Sequence, residues 1–192
     1  MTCIVGSVCD GVVMIGGDSA GVAGYEMAIR KDPKVFLVDN VAFGFTSSFR
    51  MGQLLQYSLR IPSLDPGGDI FRYMATEFVN AVRDCLKEGG YAKVDKNEEE
   101  GGSFLVGIRG RLFAIHSDFQ VAERACGHDA VGCGESYALG SLYTYALDHY
   151  QGSGGRDQHG VLMDALYTAE NFSAGVRGPF NFVSTTPEEV NP

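Results

Sequence analysis

The sequence lacks most of what would tie it to a membrane, a nucleic acid or a metal. Its five cysteines (Cys3, Cys9, Cys85, Cys126, Cys133) are odd in number and form no CxxC pair, which argues against a disulfide framework and against a zinc ribbon. Free, mostly buried thiols in a reducing cytoplasm are the expectation. No apolar run approaches the roughly 20 residues of a membrane span. No basic stretch followed by an apolar one opens the chain, so the N-terminus is expected to begin the fold itself. Basic side chains are in deficit, 15 Lys and Arg against 24 Asp and Glu, for a net charge of −9. Neither a nucleic acid nor an anionic membrane is therefore an expected partner. There is no GxxxxGK[ST] phosphate loop, so any use of ATP falls to another protein. The four histidines (His116, His128, His149, His159) show no Ser/His/Asp arrangement. No cofactor is called for.

What is present fits one globular domain over residues 1–192. Residues 2–9 and 12–17 are apolar and flank Asp10-Gly11, a hairpin by composition and turn chemistry. A second hairpin joins 34–38 to 41–45 through Asp39-Asn40, and 19–32, rich in Gly and charge, reads as a loop. Residues 51–60 predict a helix stopped by Pro62. Asp69 predicts the N-cap of a long helix to about Lys87, with Ile70, Phe71, Met74, Phe78, Val79, Val82 and Leu86 on one face. The charged stretch 93–102 reads as an exposed loop and its Glu-Glu-Glu run as a solvated tip. A third hairpin joins 103–108 to 112–116, and 118–124 extends its sheet. Helices over 136–149 and 159–171, separated by a glycine-rich loop at 152–155, lead to a final strand at 180–184. Hairpins imply antiparallel pairing. Two sheets packed face to face with helices outside give an α+β, four-layer αββα sandwich.

Thr2 is the residue with the most chemical promise. As a small second residue it permits removal of Met1, and a terminal threonine carries its own base, because the α-amine titrates near pH 8 within reach of Oγ1. Alone, a small residue after Met1 means little. Asp18 closes the second strand and Lys34 begins the third. The first turn brings Thr2 and Asp18 side by side, and the offset to Lys34 lets the third strand enter next to them. A buried lysine paired to an aspartate stays charged, and a fixed ammonium lowers the pKa of a neighbouring amine. That amine is then free to take the hydroxyl proton.

Thr2, Asp18 and Lys34 follow one another at two steps of 16 residues. This spacing, the Gly17-Asp18 strand end and Gly44-Phe45-Thr46-Ser47-Ser48 resemble the catalytic β-subunits of proteasomes, N-terminal-nucleophile hydrolases, and most of all the bacterial HslV-like form that works beneath an ATPase unfoldase ring. The resemblance implies that Thr2 attacks, Asp18 holds Lys34, and Lys34 tunes the amine. It implies an oxyanion hole at the backbone N–H of Ser47, where the family usually has glycine, a replacement that works if φ there is negative. Gly132-Cys133-Gly134 is similar to a Gly-Ser-Gly turn whose serine contacts the terminal amine. The run from Glu170 through Ser173 to Gly175 is similar to an Asp-x-x-Ser-Gly-Gly turn that supports the threonine. Cys133, Glu170 and Ser173 thus stand for a serine, an aspartate and a second serine. Phe45 and Gly21 match positions that line the first specificity pocket, where Phe45 would narrow it and suggest apolar substrates.

The implied activity is hydrolysis of peptide bonds in unfolded proteins or peptides, inside stacked rings of identical subunits in the cytoplasm, with an ATPase unfoldase as partner. Two rivals are a catalytically silent ring subunit of the same fold and a small-molecule amidase. Cys3 is a rival nucleophile if two residues are removed. Cys126, His128 and Cys133 fit no common metal spacing.

Overall fold

The computed structural model describes residues 1–95, 98–150 and 157–187. Strands β1 (Cys3–Cys9) and β2 (Val12–Gly17) form the first hairpin. Asp10 and Gly11 both have positive φ, 49° and 74°, as a type I′ turn matched to strand twist requires. β3 (Ala20–Ala23) and β4 (Glu26–Ile29) form a separate ribbon where the sequence predicted a loop. All of β4 is exposed, so no apolar alternation marks it. β5 (Val35–Val38) and β6 (Val41–Phe45) are the expected second hairpin.

Helix α1 (Phe49–Tyr57) starts two residues earlier than predicted because Ser48 caps it, accepting from the Arg50 N–H. The long helix is one rod in three parts: α2 (Ile70–Tyr73), a π turn (Met74–Phe78) and α3 (Val79–Glu88). Its fully buried residues Met74, Phe78, Val82 and Leu86 recur every four positions. That step overshoots the 3.6 residues of an α-turn, and the wider π turn takes up the excess. Asp69 caps the rod as predicted, accepting from the Arg72 N–H at 3.1 Å.

The stretch read as a solvated loop contains two three-residue strands, β7 (Lys93–Asp95) and β8 (Glu98–Glu100). Glu99 is bound at 2.8 Å by Arg83 of α3, which holds it against the helix. β9 (Phe104–Ile108), β10 (Arg111–Ile115) and β11 (Val121–Ala122) follow expectation. β12 (His128–Gly132) was not predicted. Helices α4 (Glu135–Tyr150) and α5 (Gln158–Phe172) and strand β13 (Asn181–Ser184) complete the described chain. The predicted loop at 152–155 lies outside the described residues.

The strands form a four-stranded sheet, β12-β1-β2-β13, and a five-stranded sheet, β11-β10-β9-β6-β5, both antiparallel throughout. Ile4, Ile15, Val35, Leu105 and Leu112 fill the space between them. α1 to α3 cover the five-stranded sheet over a core that includes Phe43, Met51, Phe78 and Phe113. α4 and α5 cover the other over Cys3, Val5, Leu162 and Leu166. The result is the αββα sandwich that the element order implied. No helix among the described residues is long and apolar enough to cross a membrane.

Candidate active site

The register Ile4↔Gly17 sets Thr2 beside Asp18 at one end of the four-stranded sheet. Asp18 donates its N–H to the Cys3 carbonyl at 3.3 Å, and its Oδ1 accepts from the Cys3 N–H at 3.0 Å. Oδ2 accepts from the N–H groups of Ala20 at 3.0 Å and Arg177 at 3.3 Å. The carboxylate therefore joins three separate stretches of backbone. Lys34 arrives from elsewhere. It precedes β5 of the five-stranded sheet, and the neighbour of β2 in its own sheet is β13. The third strand enters on the opposite layer, and the lysine bridges the two sheets at their shared end.

Lys34 Nζ donates to Thr2 Oγ1 at 2.7 Å and to Asp18 Oδ1 at 2.8 Å. The three side chains are cut off from solvent, with Thr2 at 5% exposure, Asp18 at 0% and Lys34 at 1%. Burial pushes the Lys34 ammonium below its ordinary pKa, and the charge of Asp18 opposes that shift. An ammonium held this way stabilises negative charge developing on Oγ1 and is also readier than usual to give up a proton.

The Thr2 N–H donates to Cys133 Sγ at 3.2 Å, and Cys133 Sγ lies 3.4 Å from Ser173 Oγ. Thr2, Cys133 and Ser173 thus form a connected line. Gly132, the last residue of β12, presses against the threonine: its φ is 106°, and a Cβ there would lie 2.3 Å from the Thr2 carbonyl oxygen. In the chain with Met1 in place, the Thr2 nitrogen is an amide and the Thr2 hydroxyl donates to the Met1 carbonyl.

Two expectations need correction. Ser47 does not have negative φ; its φ is 67°. The Ser48 N–H reaches back to the Thr46 carbonyl at 2.7 Å, which closes a tight turn with Ser47 at its apex. Its hydroxyl accepts from the Ser103 N–H at 3.2 Å and lies 3.1 Å from Thr46 Oγ1, contacts that help hold a conformation L-residues disfavour. The Ser47 N–H has no acceptor among the described residues, so the positive φ, held by these contacts, still leaves that donor open and negative φ is not the condition that decides it. Glu170 does not join the threonine cluster either. Its Oε1 accepts from the Gly178 N–H at 2.9 Å and pairs with Arg177 at 3.8 Å. It thereby fixes the turn whose Arg177 N–H reaches Asp18, acting one step further back.

A cavity of about 290 Å³ opens beside Thr2. Gly21, Phe45 and Ser47 line it, and so do Arg30 and Phe49, which sequence reasoning missed. Arg30 lay in the segment read as a loop, and Phe49 preceded the predicted helix start. Phe45 is mostly committed to the core, meeting Phe49 edge-on at 5.6 Å.

The rival arrangements do not assemble. Cys3 is buried among residues of the α4 and α5 core, and burial pushes its thiol well above the ordinary range. Cys126 and His128 line a different cavity, away from Cys133 at the threonine. All five cysteines are free, but only Cys3 is buried; Cys85 is half-buried, and Cys9, Cys126 and Cys133 are exposed. The expectation of mostly buried thiols fails because three of them sit at strand ends and turns.

No protein-family model matches the sequence, and no curated protein matches it. Solved structures do. BPH from Thiobacillus denitrificans superposes with a TM-score of 0.79 at 19% identity, over 98% of this chain and 100% of that one. BPH in complex with epoxomicin gives 0.75 at 19% identity, over 97% and 100%. Eukaryotic HslV from Trypanosoma brucei gives 0.67 at 18% identity, over 95% and 98%. The fold is that of the proteasome-type N-terminal-nucleophile hydrolases.

Proposed function

We propose that the chain is a threonine-type peptidase in which Thr2, made N-terminal by removal of Met1, attacks peptide carbonyls. The observation that carries this reading is the buried Lys34 ammonium, within 2.8 Å of both Thr2 Oγ1 and Asp18 Oδ1. Oγ1 adds to the carbonyl carbon while its proton passes to the α-amine, and the Ser47 N–H donates to the oxyanion. The intermediate collapses, the C–N bond breaks, and the leaving amine takes the proton back from the α-ammonium. A water then adds to the threonyl ester with the same amine as base, which releases the acid and restores the hydroxyl. Asp18 holds Lys34, Cys133 Sγ accepts from the terminal nitrogen, Ser173 flanks Cys133, and Gly21 and Phe45 border the substrate.

The resemblance to HslV extends the proposal to the assembly. Residues 1–192 act as one domain in homo-oligomeric rings in the cytoplasm, fed with unfolded protein by an ATPase. Intact mass and peptide turnover test the core of it. Mature protein is expected to lack Met1 and to cleave unstructured peptides, and Lys34→Ala is expected to lose about 10²–10⁴-fold in kcat/KM. Retention of Met1 in all of the native material, with no turnover, would instead identify a silent ring subunit. Turnover of small amides but of no peptide would identify an amidase.

A further inference from the structure

The chain carries a net charge of −9, yet no carboxylate lines the cavity beside Thr2; its charged side chains are Lys34 and Arg30. Lys34 is committed to Asp18 and Thr2. Arg30 is placed differently. Its N–H donates to the Ser19 carbonyl at 2.8 Å, and its side chain then crosses the face of Gly21. A Cβ on residue 21 would come within 2.8 Å of Arg30 Cδ, so the absence of a side chain there gives the arginine its path. The guanidinium lies over the Phe49 ring, with Cζ 3.8 Å from its centroid.

Asp32 holds the guanidinium from one side, accepting from Nε at 2.9 Å and from Nη2 at 2.7 Å. The two N–H groups of Nη1 have no acceptor among the described residues. Arg30 is thus a planar cation, fixed by a ring beneath and a carboxylate at one edge, with donors left open. Asp32 is itself half exposed, at 47%, so solvent screens its charge from an arriving anion.

We propose that this cavity accepts an acidic side chain, Asp or Glu, from the residue immediately before the cleaved bond, and that Arg30 is the specificity-determining residue. The proposal rests on the peptidase reading and names its substrate class. The stem of a glutamate packs on Phe45 and Phe49 while its carboxylate meets Nη1. A basic side chain meets two cations, and a leucine desolvates a guanidinium without giving it an acceptor. The preference is therefore acidic, where Phe45 considered alone suggested apolar.

The test is a set of fluorogenic peptides differing only in Glu, Leu or Arg before the reporter, given to the native assembly. The Glu peptide is expected to exceed the Leu peptide by about tenfold or more in kcat/KM. Added salt is expected to narrow that ratio, and Arg30→Gln is expected to bring it close to one. A Leu or Arg peptide cleaved fastest, or a ratio that Arg30→Gln leaves unmoved, overturns the proposal. Labelling by epoxomicin, read as a mass shift that Thr2→Ala abolishes, reports separately on the peptidase reading. Labelling without acidic preference overturns this proposal alone, whereas no labelling and no cleavage of any peptide removes both.

Discussion

Asp18 and Lys34 form an ion pair that solvent does not reach. Removing one partner of a buried pair leaves the second uncompensated, at a cost of about 3–5 kcal/mol. Asp18→Asn keeps an oxygen for the backbone N–H groups but strands the Lys34 ammonium, so the denaturant midpoint is expected to fall by that order. Adding Lys34→Met removes the stranded charge and is expected to recover a large part of the loss, with no return of turnover. If the single variant is as stable as the parent, Lys34 is not charged in the folded chain. At this scale the sequence was informative about chemistry and silent about reach. The two steps of 16 residues were visible, but nothing marked Arg30 as crossing Gly21 to reach the same cavity. Glu170 could be matched to a motif, but not seen to act through Gly178 and Arg177.

β12 illustrates how elements, and not only residues, position Thr2. Its end at Gly132 has φ of 106° and lies against the Thr2 carbonyl. A methyl group there has no room and an unfavourable backbone. Gly132→Ala is therefore expected to displace Thr2 and lower turnover by about 10²-fold, the usual consequence of an ångström of misplacement. Steady-state kinetics on a Gly132→Ala chain that still folds by circular dichroism decides this; unchanged turnover would mean that β12 yields instead. The sequence predicted β1, β2, β5, β6, β9 and β10 because tight turns and apolar runs bound them. It did not predict β12, which has no hairpin turn of its own and pairs with a strand more than a hundred residues away. It did not predict β3 and β4, whose mixed or full exposure leaves no period-2 signal. Helix ends were legible where a side chain capped them, at Asp69, and two residues out where Ser48 was overlooked.

Across the whole molecule, each helical layer buries a weak acid in its neutral form. Cys3 lies under α4 and α5, and its thiol is held above its ordinary 9.0. Tyr73, the last residue of α2, points into the core that α1 to α3 cover, where burial pushes its hydroxyl from 10.0 up to about 12. Both groups keep a proton in the folded chain that the unfolded chain releases sooner. Their contribution is complete below pH 9 and is lost as pH rises, by at most about 1.4 kcal/mol per pH unit for each proton. Lys34 runs the other way, because its lowered value relieves the cost of burying charge as pH approaches 10.5. Above pH 10.5 the Lys34 contribution no longer changes, so the denaturant midpoint is expected to fall from there to pH 12. Tyr73→Phe is expected to flatten the part above pH 10. Equal slopes for parent and variant would refute the assignment to Tyr73.

Asp18 also constrains how a related sequence can be judged. Because its carboxylate ties together the backbones of Cys3, Ala20 and Arg177, a copy that had abandoned catalysis would still gain stability from it. An aspartate at this place in another chain diagnoses architecture. Under the proposed mechanism, whether that chain works as an enzyme is told by its threonine and its lysine.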